Sequence, residues 1–150
     1  MAKKIINKVL LSLGSNIGNR EENLNLAIKL IGDSIGKVNK KSTFHYTPAQ
    51  GFDSTNQFSN CCLLVETAKS CIEVLKNNQE IESKMGRVKS NNGYQDRIID
   101  IDIIFFNDDI YNSDELEIPH PRYHLRDFVL KPMQELGDFI DPRTKKPSKR

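Results

Sequence analysis

Residues Gly86–Phe106 read GRVKSNNGYQDRIIDIDIIFF, and the second half of this stretch decides the fold. From Ile98 to Phe106 nearly every position is β-branched or aromatic, which predicts a β-strand. Side chains alternate along a strand, so Asp100 and Asp102 share one face with their Cα atoms roughly 6.5 to 7 Å apart. Ile98, Ile104 and Phe106 are expected on that same face, and Ile99, Ile101, Ile103 and Phe105 on the other. Two carboxylates in partly apolar surroundings repel unless a proton or a cation intervenes. Magnesium suits them, and their spacing suits a metal pair about 3.5 to 4 Å apart of the kind that activates phosphoryl oxygens. Arg97 lies just upstream, and Arg87 and Lys89 precede an SNNG loop, so acids and cations together point to metal and polyphosphate in one site. The competing reading is a half-exposed antiparallel strand whose polar residues simply face water.

The rest of the chain bounds what surrounds this strand. With 150 residues, a single domain spanning 1–150 is expected, large enough to fold without disulfide or metal staples. The chain carries 22 basic and 20 acidic groups, and the C-terminal DPRTKKPSKR holds five of the bases and one of the acids. The body is therefore slightly acidic and offers no general nucleic-acid footprint. Cys61, Cys62 and Cys71 form no CxxC pair. With no signal-peptide pattern and no apolar run near 18 residues, a reduced, cytoplasmic protein is expected.

Lys8–Leu13 predicts a strand that runs into a turn at Gly14–Asn19. Asn19 and Glu22 then start a helix that carries Leu24, Ala27, Ile28, Ile31 and Ile35 and stops at Gly36. No GKS or GKT follows Gly14, GDSIGKV is one residue short of a phosphate loop, and no GxGxxG occurs. Lys37–Tyr46 predicts a second strand, a loop follows from Thr47 and Pro48, and Gln57–Thr67 predicts a third strand. On that strand Phe58 and Asn60 share a face and offer a ring and an amide to a flat heteroaromatic ligand; a packed Phe beside a strand-end Asn is the ordinary alternative. Ser70 and Glu73 form a capping box for a second helix that ends at Gly86, with Gln79 and Glu82 on one flank.

After the acid strand, short strands are expected at Ile110–Tyr111 and Leu116–Ile118. Pro119–His120–Pro121 forces an extended path, so His120 and His124 are not an i, i+4 metal pair. His120 and Arg126 are candidate donors to phosphate or ribose. A terminal helix over Val129–Leu136 is expected to break at Pro132. The order β, α, β, β, α, β predicts an α+β, ferredoxin-like sandwich with a largely antiparallel sheet and extra C-terminal elements.

Several segments together resemble the 6-hydroxymethyl-7,8-dihydropterin pyrophosphokinases of the folate pathway. They are LSLGSN (11–16), YTPAQG (46–51), FSN (58–60), MGRV (85–88), RIIDIDII (97–104) and PHPRYHLRDFVLKP (119–132). The resemblance implies transfer of pyrophosphate from ATP to the pterin hydroxymethyl oxygen, with release of AMP. It puts two Mg²⁺ ions at Asp100 and Asp102 and sets Arg87 and Arg97 against the ATP phosphates as the catalytic cations. It assigns Gln79, Glu82, Lys89, Ile103, His120 and Arg126 to the nucleotide site. Phe58 and Phe128 fall where the family sandwiches the pterin, with Thr47, Pro48, Asn60 and Asp100 also on the substrate side.

The chain departs from the family pattern at Gln95 and Asp96, at Lys89 in place of an arginine, and at Tyr94. These changes bear on the Val88–Asp96 loop, which is expected to close over the bound substrates and exclude water. The expected partners are ATP and the pterin, with no nucleic acid and no membrane, for a monomeric enzyme. Two other readings share the residues: a magnesium phosphohydrolase using the same acids, and a non-catalytic ferredoxin-like ligand-binding module.

Overall fold

The computed structural model describes residues 5–47, 57–86 and 98–148. Pro48, Arg87, Lys89, Arg97 and the Val88–Asp96 loop lie outside them. Strand β1 (Asn7–Ser15) is central, antiparallel to β4 (Phe58–Thr67) on one side and to β5 (Asp100–Phe106) on the other. The short strands β2 (Lys37–Lys41) and β3 (His45–Thr47) both pair antiparallel with β4. Helix α1 (Arg20–Ser34) connects β1 to β2, and helix α2 (Cys71–Lys84) connects β4 to β5. This is the expected ferredoxin-like order, built on a five-stranded antiparallel sheet.

Alternation along the strands divides the core between the two faces. Val9, Leu11, Leu13, Leu63 and Val65 meet Leu24, Ala27 and Ile31 of α1 and Val74 and Ile81 of α2. On the opposite face Leu10, Cys62 and Ile104 meet Val129, Leu130 and Met133 of a third helix, α3 (Asp127–Gln134). Both helix starts are set by the predicted caps. Asn19 Oδ1 accepts from the Glu22 N–H at 3.1 Å, while Ser70 and Glu73 exchange bonds of 3.3 and 3.0 Å. Gly36 follows α1 because a Cβ there would stand 2.0 Å from the Glu66 carbonyl oxygen of β4. No helix among the described residues is long and apolar enough to cross a membrane.

Four expectations are corrected. First, β1 continues through Gly14 to Ser15, so Gly14 is a strand residue and not the start of the turn. Second, the predicted strand at Lys37–Tyr46 is two strands. Ser42 Oγ accepts the Cys62 N–H at 2.9 Å, a ladder bond that a backbone carbonyl would otherwise take, and the chain leaves the sheet until His45. Third, Leu10 faces Phe105 while Leu11 faces Ile103, so Ile104 is the extra residue of a β-bulge. Beyond it the faces exchange: Phe105 joins Ile104 on the α3 side, and Phe106 packs on the α1–α2 side. Fourth, α3 starts at Asp127 and contains Pro132, ending two residues after it instead of breaking there. Small pairs β6 (Tyr111–Asn112) with β7 (Glu117–Ile118), and β8 (Ile140–Asp141) with β9 (Lys146–Pro147), complete the chain.

Candidate active site

The chemistry collects along the outer edge of β5. That strand's peptide groups alternate in direction, and the Ile101 N–H, turned away from β1, donates to Glu82 Oε2 at 2.9 Å. Glu82 is buried, so this bond fastens the last turns of α2 to the strand edge. Between them opens a cleft of about 320 Å³, lined from α2 by Leu75, Gln79 and Glu82 and from β5 by Asp100, Ile101 and Asp102. His120 and Arg126 form its remaining wall. Asp100 and Asp102 are half-buried and, as the alternation required, on one face. Six of the residues assigned to metal or nucleotide from sequence thus meet in one concavity. Ile103 does not line it with its side chain, which lies in the core at 4% exposure; its peptide groups, two residues on from Ile101, turn to the same open edge.

His120 is held at both ends. Its N–H donates to the Ile104 carbonyl at 2.9 Å, and its Nδ1 accepts the Arg122 N–H at 3.0 Å. Burial and the nearby charge of Arg126 push the imidazole down to about 4, so at neutral pH it is uncharged. With Nδ1 occupied as an acceptor, the proton sits on Nε2, giving the cleft wall a neutral N–H donor. The full positive charge on that wall is Arg126, whose guanidinium carbon lies 5.6 Å from the centre of the Phe128 ring.

That stacking links the cleft to a second, flatter surface on the same face of the sheet. Gly14 pairs with Asp100 on one side and with Asn60 on the other, so the three residues form one row across β5, β1 and β4. Two interstrand steps separate Asp100 from Asn60 by about 10 Å. Asn60 is only 3% exposed, and its Nδ2 donates to Thr47 Oγ1 at 3.0 Å, leaving the amide oxygen turned toward Gly14. Phe58 stands next to it, half-buried, with its ring edge 3.6 Å from where a Gly14 Cβ would be. Above this strip Cys62 Sγ donates to the Val129 carbonyl at 3.7 Å, which sets the first turn of α3, and Phe128 with it, over β4. The structure therefore brings Thr47, Phe58, Asn60 and Phe128 to one area.

Gly14 was missed as a site residue. Its signal was available: a glycine inside an otherwise apolar strand marks a close approach by backbone or ligand. The cysteines are placed for packing and not for nucleophilic chemistry. All three are free, and burial pushes Cys61 up to about 12 and Cys62 higher still, so neither is a nucleophile at neutral pH.

The donor set at Asp100 and Asp102 fits a hard divalent cation. Both side chains are oxygen donors on one wall of a cleft, and no cluster of three or more His, Cys, Asp or Glu forms a closed metal cage among the described residues. Two carboxylates with open positions left for phosphate and water are how Mg²⁺ is held beside a nucleotide.

Comparison with known proteins agrees with this geometry. The family described as 7,8-dihydro-6-hydroxymethylpterin-pyrophosphokinase (HPPK) matches residues 10–138. A 2-amino-4-hydroxy-6-hydroxymethyldihydropteridine pyrophosphokinase of Porphyromonas gingivalis is 35% identical over 145 residues, covering 93% of this chain and 97% of the relative. One from Bacillus subtilis is 34% identical over 136 residues, covering 90% and 81%. A Plasmodium falciparum HPPK-DHPS structure shares the fold with a TM-score of 0.67 at 17% identity, over 85% of this chain and 41% of that one. The chain belongs to the 7,8-dihydro-6-hydroxymethylpterin-pyrophosphokinase family.

Proposed function

We propose that the cleft at the β5 edge holds ATP and that the Phe58–Asn60–Phe128 surface holds the pterin, the two meeting at Asp100. The reaction is transfer of the pyrophosphoryl group of ATP to 6-hydroxymethyl-7,8-dihydropterin, giving the pterin diphosphate and AMP, a step of folate synthesis. The observation that carries the assignment of residues is the Asp100–Gly14–Asn60 row. It sets an acid pair and a ring-reading amide on one face at about the length of a bicyclic heteroaromatic.

In this reading the pterin hydroxymethyl oxygen attacks the β-phosphorus in line, the bond from that phosphorus to the α,β-bridging oxygen breaks, and AMP leaves. The hydroxyl proton is released as the new O–P bond forms, and no side chain among the described residues is assigned as its base. Two Mg²⁺ ions at Asp100 and Asp102 would offset charge on the phosphoryl oxygens. Arg126 and the neutral His120 Nε2–H bind phosphate or ribose oxygens, and Gln79, Glu82 and the Ile103 peptide groups receive the base. Phe58 and Phe128 flank the pterin while Asn60, fixed by Thr47, reads its polar edge. Arg87, Arg97, Lys89 and Pro48 complete this proposal from sequence alone. A single domain over 1–150, a monomer and a cytoplasmic setting belong to the same reading.

The test is AMP formation from ATP with and without the hydroxymethyl pterin. Formation only with pterin and Mg²⁺ is expected, and Asp102→Asn should lower kcat by about 10²- to 10⁴-fold if several kcal/mol of charge stabilisation are lost. Phosphate release from ATP without pterin would make the chain a phosphohydrolase. Full activity in Asp102→Asn would refute the placement of the metal.

A further inference from the structure

Tyr123 lies midway between His120 and Arg126, three residues from each. The segment that carries these two cleft residues has little regular structure to hold it: a single 3₁₀ turn over Tyr123–Leu125, then α3, neither with a side-chain cap at its start. Tyr123 supplies the missing attachment. Its ring is 2% exposed and packs edge-on against Phe105 at 5.1 Å between centroids. Its carbonyl accepts the Arg126 N–H at 3.1 Å, and the neighbouring Arg122 N–H fixes the His120 ring. A displacement of Tyr123 is therefore passed to Arg126 through one hydrogen bond and to His120 through Arg122 and its N–H bond.

What fixes Tyr123 comes from the far end of the chain. Its hydroxyl donates to Asp141 Oδ2 at 2.6 Å and lies 2.9 Å from Ser148 Oγ. Asp141 is itself buried at 4% exposure and is gripped by Arg143, with Nη2 at 2.9 Å from Oδ2 and Nε at 3.2 Å from Oδ1. The β8–β9 hairpin that presents these groups is closed by the Ser148 N–H bond to the Phe139 carbonyl at 2.7 Å, and Phe139 stacks on Phe105. A phenol hydroxyl this deep must find a partner within the protein, and the hairpin provides both. The phenol can reach these partners only where it now stands, so the docked hairpin sets its position.

We infer that Asp141, acting through Tyr123, is a positioning residue for the nucleotide half of the site, holding His120 and Arg126 in register with the β5 acids. This rests on the functional reading above, and it bears first on the nucleotide, because Phe128 on the pterin side has its own anchor in the Cys62 bond to the Val129 carbonyl. Asn60, Phe58 and Thr47 are held by β3 and β4 and owe nothing to the hairpin.

The experiment measures AMP formation by the full chain, varying ATP at saturating pterin and the converse. Tyr123→Phe keeps the ring packing and removes both hydroxyl bonds; Asp141→Ala removes the acceptor; Asp141→Asn keeps an acceptor oxygen. Tyr123→Phe and Asp141→Ala should each raise KM for ATP about tenfold, as expected when the buried tether of the phenol is lost, with KM for pterin within about twofold. Asp141→Asn should restore most of the ATP affinity. The His120 ring resonances should shift in Tyr123→Phe. Wild-type KM for ATP in a folded Tyr123→Phe variant, or equal rises in both KM values, overturns the inference. A wild-type chain that forms no AMP overturns the functional reading itself, and this inference with it.

Discussion

Gly14→Ala is the most discriminating substitution the structure offers. The added methyl carbon would stand 2.9 Å from Asn60 Oδ1 and 3.6 Å from Phe58 Cδ1. The second distance is ordinary contact; the first is not, so the Asn60 amide must turn or shift. Asn60 is buried, and its Nδ2 is committed to Thr47 Oγ1 at 3.0 Å. Moving it strains or breaks that bond, at about 1 to 3 kcal/mol for a buried amide left unsatisfied. If the amide reads the pterin, the same displacement removes its contact with ligand, and affinity should fall by roughly 10- to 100-fold at 1.4 kcal/mol per decade. The backbone itself is ordinary strand, where alanine is accepted, so the damage is confined to the amide. Titration calorimetry with the pterin and, separately, with a non-hydrolysable ATP analogue and Mg²⁺ reads the outcome. Pterin binding should weaken while analogue binding holds. Unchanged pterin affinity, or equal loss of both, would refute the assignment of the Asn60 surface to the pterin.

Three further outcomes follow from single observations. His120 titrates at about 4 in the folded chain against about 6.5 when unfolded. The unfolded state therefore binds more protons between these values, and the stability His120 contributes is complete above pH 6.5 and lost as pH falls toward 4. Denaturant titrations at pH 7 and pH 5 should show a loss that is smaller in His120→Asn. Ser59 Oγ is fully buried with no hydrogen-bond partner among the described residues, so Ser59→Ala should stabilise by about 1 kcal/mol, a rise of roughly 2 to 4 °C in Tm. Gly36→Ala forces a methyl against the Glu66 carbonyl at 2.0 Å, where the β2–β4 ladder cannot yield. A loss of about 3 kcal/mol, or roughly 6 to 12 °C, is expected by melting.

Local chemistry made much of this structure legible in the sequence. Asn19 and the Ser70–Glu73 box fixed where two helices start because capping is decided within four residues. The period-two pattern of β5 placed Asp100 and Asp102 on one face for the same reason. What failed depended on partners distant in the chain. The bulge at Ile104 reflects the fit of β5 to Leu10 and Leu11 of β1, and it sent Phe105 and Phe106 to faces opposite those alternation gave them. Ser42 ended a strand by offering its hydroxyl to Cys62, twenty residues away. The hairpin that receives Tyr123 left no apolar period to find, since its grip is a carboxylate, a hydroxyl and a guanidinium. For Phe128 only the resemblance of motifs suggested a role, whereas His120 was already a candidate donor from its own chemistry.

The Glu82–Ile101 bond has a consequence for how the molecule behaves in company. Among the described residues β5 ladders with β1 alone, and an outermost ribbon with an open flank invites the main chain of another molecule to add itself there. In this protein three acids border that flank. The same edge of a second copy would meet like charge there, with the end of α2 in its way. Negative charge on that flank disfavours edge-to-edge pairing of two copies, so neutralising Asp100 and Asp102 is expected to raise self-association, read by light scattering.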